Sequence, residues 1–247
     1  MTIELRDVTV RRGDRTVLAD LDLTVDAGVL TAIVGPNGAG KSTMLGVIAG
    51  DLAPQRGRVT IDGRDIHGLA PRDAARVRAF LAQDHPGGIE FTVKTVVGFG
   101  RHAVGEFDDP VVDRSIEAVG VGHLAMRRFR DLSGGEQRRV SIARVLAQDA
   151  PTLLMDEPTD SLDLGHADLV MATAARVAAE GKTVLVTSHD LNVAARHADR
   201  IVLVVDGRIA ASGAPNEVLT ADLLSSVYHT EVRILPHPDT GAPVVFL

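Results

Sequence analysis

The branched apolar run Leu30-Thr31-Ala32-Ile33-Val34 breaks into Gly35-Pro36-Asn37-Gly38-Ala39-Gly40-Lys41-Ser42-Thr43, and a helical stretch follows from Ser42 to Ala49. That order constrains the fold more than any other feature of the chain. Glycines at 35, 38 and 40 allow backbone conformations denied to other residues, so successive amides can point inward at phosphate oxygens. The helix adds its positive N-terminal dipole. Gly, four residues, Gly, Lys and Ser is the spacing of a phosphate-binding loop, in which Lys41 reaches the β- and γ-phosphates and the Ser42 hydroxyl ligates Mg²⁺.

Elsewhere the chain alternates strand and helix signals. Leu21, Leu23 and Val25 alternate with Asp22 and Thr24, and Val59 to Gly63 reads as a strand closing in a turn; both belong to an N-terminal antiparallel layer. By contrast, 30–34, 152–155, 183–186 and 201–205 are nearly continuous apolar runs, the pattern of strands covered on both faces in a parallel sheet. Asp206-Gly207 offers a hairpin turn into Arg208-Ile209-Ala210. Between about 85 and 150 helical patterns such as Val111 to Val119 and Gln137 to Ala147 replace the strands, which predicts a helical subdomain inserted in one 247-residue α/β domain.

Three further segments carry chemistry. Leu153-Leu154-Met155-Asp156-Glu157-Pro158 puts two carboxylates at the end of a buried strand, where ligands collect in open α/β sheets. Asp156 can hold Mg²⁺ and Glu157 can polarise an attacking water, although a carboxylate pair can also cap a helix or face solvent. His189 follows the run Thr183 to Ser188 at another strand end, a place where a lone histidine is often only solvated. Leu132-Ser133-Gly134-Gly135-Glu136-Gln137 opens a helix; it reads locally as a capping box, and its hydroxyl and amides also form a second phosphate-binding surface.

With the phosphate loop, the Ser133 to Gln137 signature and the Asp156-Glu157 strand end in this order, the chain resembles the ATPase subunits of ABC transporters, over essentially its whole length. The resemblance implies a P-loop nucleotide-binding core with an antiparallel β layer and a helical subdomain, with ATP and Mg²⁺ as cofactors. It implies that Gln83 senses Mg²⁺ and the water, that His189 bonds the γ-phosphate, and that Asp163 links two active sites across a dimer. Without it, Gln83 would be a surface residue and Asp163 an N-cap. It also implies that the signature of one copy closes over the nucleotide held by a second copy, head to tail. Members usually carry an aromatic residue where this chain has Arg12, in Val10-Arg11-Arg12-Gly13-Asp14. A guanidinium can stack on a purine, and it can equally be a solvated charge.

Phe91-Thr92-Val93, Gly100-Arg101, Leu162 to His166 and the tail Pro236-His237-Pro238-Asp239-Thr240-Gly241-Ala242-Pro243 resemble importers of haem, iron siderophores and cobalamin, the tail most of all haem importers. In that group the segment from Gln83 to Arg101 packs on a membrane permease; Phe91 could otherwise be core. The partners implied are a permease dimer and, indirectly, a substrate-binding protein, with the chain peripheral on the cytoplasmic face of the membrane. A rival is a soluble ABC ATPase of iron-sulfur cluster assembly.

Composition agrees with a large folded core that is neither nucleic-acid-binding nor membrane-spanning. Hydrophobic residues make up 45%, the net charge of −7 argues against a nucleic-acid surface, and zero cysteines exclude disulfides and thiolate zinc sites. No secretory leader is evident at the start, and no apolar run reaches the roughly 18 residues of a membrane span. His85, His102, His229 and His237 do not fall at metal-ligand spacing.

Overall fold

The computed structural model describes residues 1–83, 90–106 and 108–247. Strands β1 (Ile3–Arg12) and β2 (Arg15–Val25) form an antiparallel hairpin. Strand β3 (Leu30–Val34) leaves it for a second sheet, while β4 (Arg56–Ile61) and β5 (Arg64–Asp65) return to complete the order β2-β1-β4-β5. The alternation of the sequence decides which face is buried: Leu21, Leu23 and Val25 point inward and Asp22 and Thr24 outward.

The second sheet adds β6 (Arg78–Leu81), β7 (Thr152–Met155), β8 (Thr183–Thr187), β9 (Arg200–Val205) and β10 (Arg208–Gly213), in the order β10-β9-β3-β8-β7-β6. All of its pairs are parallel except β9 with β10, which turn at Asp206-Gly207 with φ of 47° and 73°. Every residue of β3, β7 and β8 is buried, as continuous apolar runs require when both faces are covered.

Helix α1 (Lys41–Ala49) fills the space between the two sheets: Met44, Leu45, Val47 and Ile48 pack with the antiparallel layer and with Ile33, Leu154, Leu185 and Val202 from one face of the parallel sheet. The opposite face, with Ala32, Val34, Leu153 and Val184, packs on helices. After the short α2 (Pro71–Val77), these are α3 (Val93–Val104), α4 (Asp109–Ala118), α5 (Gly134–Ala147), α6 (Leu164–Ala179), α7 (Leu191–His197), α8 (Pro215–Val218) and α9 (Ala221–Tyr228). The helices of the 85–150 stretch share one continuous apolar core with the sheet, through Val97, Val112, Ile116, Val140 and Ala143. A C-terminal hairpin of β11 (Arg233–Pro236) and β12 (Pro243–Phe246) was not legible from periodicity, because its prolines and exposed apolar residues do not alternate.

Candidate nucleotide site

Four neighbouring strands, β3, β8, β7 and β6, end side by side. Adjacent strands lie about 4.8 Å apart, so residues distant in sequence converge at one sheet edge. After β3 comes the glycine loop. Gly35, Gly38 and Gly40 all have positive φ, at 147°, 78° and 105°. At Gly40 a Cβ would strike Leu18 at 2.7 Å and the Val17 carbonyl at 3.1 Å, so only glycine lets the loop lie against β2; at Gly38 a Cβ would meet nothing within 4 Å, which leaves that side open. The Gly207 amide donates to the Ala39 carbonyl at 3.0 Å and pins the loop from the β9–β10 turn. Lys41 folds back over the loop, its Nζ donating to the carbonyls of Gly35 at 2.8 Å and Pro36 at 3.1 Å. Burial lowers the Lys41 pKa from the ordinary lysine value, opposed by the charges of Glu157 and Asp156. Pro36 is partly buried, Asn37 is exposed, and Thr43 is buried in the first turn of α1.

The acidic pair stands beside Ser42. The Ser42 hydroxyl donates to Asp156 Oδ1 at 3.2 Å, and Asp156 is 4% exposed. One hydroxyl at the end of β8 secures both acids: Thr187 Oγ1 donates to Asp156 Oδ1 at 2.5 Å and accepts from the Glu157 amide at 2.8 Å. Glu157 has a left-handed backbone, φ 47°, which costs a non-glycine residue roughly 1 kcal/mol and is held by that bond. Its carboxylate accepts from Gln83 Nε2 at 3.3 Å and lies 4.0 Å from His189 Nδ1. Gln83, Glu157 and His189 therefore meet, although they come from three strand ends.

Two residues that sequence reasoning assigned no role organise this edge. Thr187 is one, and its signal was a hydroxyl directly after the aliphatic run Val184-Leu185-Val186. Arg138 is the other. It is 3% exposed on α5, and its guanidinium donates to the carbonyls of Ala82 at 3.2 Å, Asp156 at 2.5 Å and Glu157 at 2.7 Å. It ties the helix after the signature to the ends of β6 and β7. Burial lowers its pKa, opposed by Asp160, Asp156 and Glu157. A charged residue in a polar helix segment reads as solvated, so only packing reveals it.

At the start of α5 both sides of the capping box form. Ser133 Oγ accepts from the Glu136 amide at 3.3 Å, and the Glu136 carboxylate accepts from the Ser133 amide at 2.7 Å and hydroxyl at 2.9 Å. These bonds lower the Glu136 pKa. Gly134 and Gly135 precede the first helical acceptors, so their amides have no partner within the helix. Gln137 turns back to the carbonyls of Phe129 and Leu132 at 3.2 and 3.3 Å. Ser133, Gly135 and Glu136 line a cavity of about 480 Å³ with Leu162, Asp163 and His166. Asp163 is the N-cap of α6, accepting from the His166 amide at 2.9 Å and pairing with His166 Nδ1 at 2.8 Å.

Arg12 lies exposed in the last pair of the β1–β2 ladder, opposite Arg15. Phe91 is 56% exposed and stacks edge-on against Phe99 at 5.4 Å, so it is not core. Residues 84–89 of the Gln83 to Arg101 segment, His85 among them, lie outside the described residues. Among the described residues no three His, Cys, Asp or Glu side chains could cage a metal ion, and no helix is long and apolar enough to cross a membrane.

Comparison with known proteins gives the chain its family. The family model "ABC transporter" matches residues 18–160. The hemin import ATP-binding protein HmuV of Nocardia farcinica is 48% identical across 99% of this chain and 88% of its own length, and that of Thermobifida fusca is 45% identical across 97% and 86%. A bacterial ABC transporter cassette solved as a dimer superposes with a TM-score of 0.77 at 29% identity, over 86% of this chain and 98% of that one. The glycine loop, the acidic strand end and the signature helix thus occur in a chain matched along most of its length, and it belongs to the ABC transporter family as an ATP-binding protein.

Proposed function

We propose that this chain is the ATP-hydrolysing subunit of an importer that takes up haem or a related iron complex, docked on the cytoplasmic face of the membrane through a permease dimer. The observation that carries the reading is the convergence of Lys41, Ser42, Asp156, Glu157, Gln83 and His189 on one sheet edge. Haem as cargo is supported by the names of relatives at 45 and 48% identity over nearly the full chain. A substrate-binding protein would take part only indirectly, through the permease.

The residues fit MgATP. The Ser42 hydroxyl and Asp156 carboxylate are adjacent hard oxygen donors, and with the Gln83 carboxamide they supply the few protein ligands that Mg²⁺ uses when phosphates provide the rest. Bound there, Mg²⁺ would neutralise charge on the β- and γ-phosphoryl oxygens. The loop amides from Asn37 to Thr43, apart from that of Ala39, which donates to the Pro36 carbonyl, hold the phosphates together with the N-terminus of α1, and Lys41 exchanges its loop carbonyls for phosphate oxygens. Glu157 takes the proton of the attacking water, with Gln83 orienting that water and His189 donating to the γ-phosphate. Ser133, Gly134, Gly135, Glu136 and Gln137 face the nucleotide of a second copy, and Asp163 links the two sites. Arg12 lies against the base.

Glu157→Gln should keep MgATP binding and lower turnover by roughly a hundred-fold or more; near-normal hydrolysis would sink the assigned base. For the cargo, the chain reconstituted with its permease in vesicles should accumulate hemin when ATP is supplied. Uptake of a ferric chelate or cobalamin without hemin would replace the cargo, and response only to a soluble cluster scaffold would end the transport reading.

A further inference from the structure

The Asn192 side chain ties the C-terminal hairpin to the helix that follows His189. Asp190 caps α7, its carboxylate accepting from the amides of Asn192 and Val193 at 2.9 and 3.0 Å. The Asn192 carboxamide turns away from that cap toward β12. Its Oδ1 accepts from the Val245 amide at 2.7 Å and its Nδ2 donates to the Val245 carbonyl at 3.2 Å. A neighbouring strand would pair both groups of one residue in the same way.

The hairpin also packs on the core, through the partly buried Ile234 and Val245. An isolated two-stranded hairpin is marginal in water, and Leu235, Phe246 and Leu247 are exposed by 59, 45 and 92%. Cavities of about 430 and 560 Å³ flank the contact, the first walled by Pro243 and Val244 and the second by Val245 and Leu247; Asn192 lines both. His189, half exposed, lines the larger one together with Val245 and Leu247, so the hairpin forms part of the wall on that side of it. On its other side His189 faces Glu157 at 4.0 Å. The family match ends at residue 160, well short of these elements.

We propose that Asn192 is a positioning residue for ATP hydrolysis: by clamping β12 to the first turn of α7 it holds the 188–190 segment, and with it His189, facing Glu157. The inference rests on the reading of His189 given above. It assigns the C-terminal hairpin the part of a backstop that narrows the space open to the histidine ring, leaving the phosphate loop untouched.

The test uses the full chain, with steady-state hydrolysis and hydrogen–deuterium exchange measured on the same variants. In Asn192→Ala, exchange over 233–247 should rise and turnover should fall roughly three- to ten-fold, the scale of a lost hydrogen bond, with KM for ATP unchanged. Asn192→Asp keeps the acceptor for the Val245 amide and should fall less. Unchanged exchange in Asn192→Ala overturns the clamp, and raised exchange with normal turnover overturns its role in catalysis. Full turnover in His189→Ala overturns the reading of His189 and this inference together, whereas loss of turnover there beside an unaffected Asn192→Ala overturns the clamp alone.

Discussion

Two helices in this chain begin at glycine-rich runs, and they treat their free amides in opposite ways. Helix α1 starts at Gly40, φ 105°, with no side-chain cap and no acid in its first turn. Helix α5 starts at Ser133 with a complete capping box, and Glu136 lies in its first turn. At α1 the donors are left for a ligand, and the helix is held in place by burial between two sheets rather than by its cap. At α5 the chain satisfies the amide and hydroxyl of Ser133 with a carboxylate, while the amides of Gly134 and Gly135 have no partner within the helix. A phosphate reaching Ser133 must compete with Glu136, which already holds the serine amide and hydroxyl. The first site is built to bind alone; the second is closed locally until something displaces its cap.

The sharpest break in that comparison comes from charge placed at α5. A Cβ on Gly134 meets nothing within 4 Å and its φ is not positive, so Gly134→Asp adds a carboxylate without steric cost. Turnover should drop by roughly a hundred-fold, the scale of a lost charge-stabilising donor, while nucleotide binding to the monomer stays intact; parallel equilibrium-binding and hydrolysis assays decide it, and weakened monomer binding would erase the distinction. At α1 the reverse is expected. Lys41→Met should weaken ATP binding roughly ten- to a hundred-fold, the worth of a charge-assisted bond.

The same lysine carries a pH signature. Because burial lowers its pKa, Lys41 loses its proton at lower pH than an exposed lysine, so ATP affinity should decline early on the alkaline side. Lys41→Arg should move that decline to higher pH, since arginine stays charged; identical profiles in titration calorimetry would contradict the assignment. A smaller effect is expected at Arg12. If it stacks on adenine, Arg12→Ala costs about 0.5 to 2 kcal/mol of ATP binding and Arg12→Tyr restores it; equal affinity in all three proteins would mark Arg12 as solvated.

The smallest effect belongs to the cap itself. Ser133→Ala should cost about 1 kcal/mol of stability in denaturant titration. Glu136 has a lowered folded pKa, so its contribution is present above the unfolded carboxylate pKa and is lost as pH falls through the folded value. The stability difference between the natural chain and Glu136→Gln should therefore be full at neutral pH and shrink in acid. A difference independent of pH would mean that the carboxylate charge is not what closes the box.

Much of this was legible in the linear chain. Apolar runs at 30–34, 152–155 and 183–186 are buried parallel strands, and the Asp206-Gly207 turn falls where its residues demanded a hairpin. The capping box at Ser133 and the N-cap at Asp163 were readable because they depend on residues three apart. The C-terminal hairpin was not, since its prolines and exposed apolar residues do not alternate, and its tie to α7 joins Val245 to Asn192, 53 residues away. Phe91 was undecided in sequence because an aromatic residue fits a core or an interface equally well; its 56% exposure comes from the packing of α3.

By itself the sequence determined the local chemistry: which glycines can bend a loop around phosphate, which runs are buried on two faces, and which helix start carries its own cap. These depend on backbone freedom and on periods of two to four residues. Only the tertiary structure decided that Gln83, Glu157 and His189 meet, that the Thr187 hydroxyl holds both acids, and that Arg138 spans two strand ends. Strand order sets those encounters. Strands β6, β7 and β8 are neighbours in the sheet although about seventy residues separate the first from the second, and no local pattern of side chains encodes which strand will lie beside which.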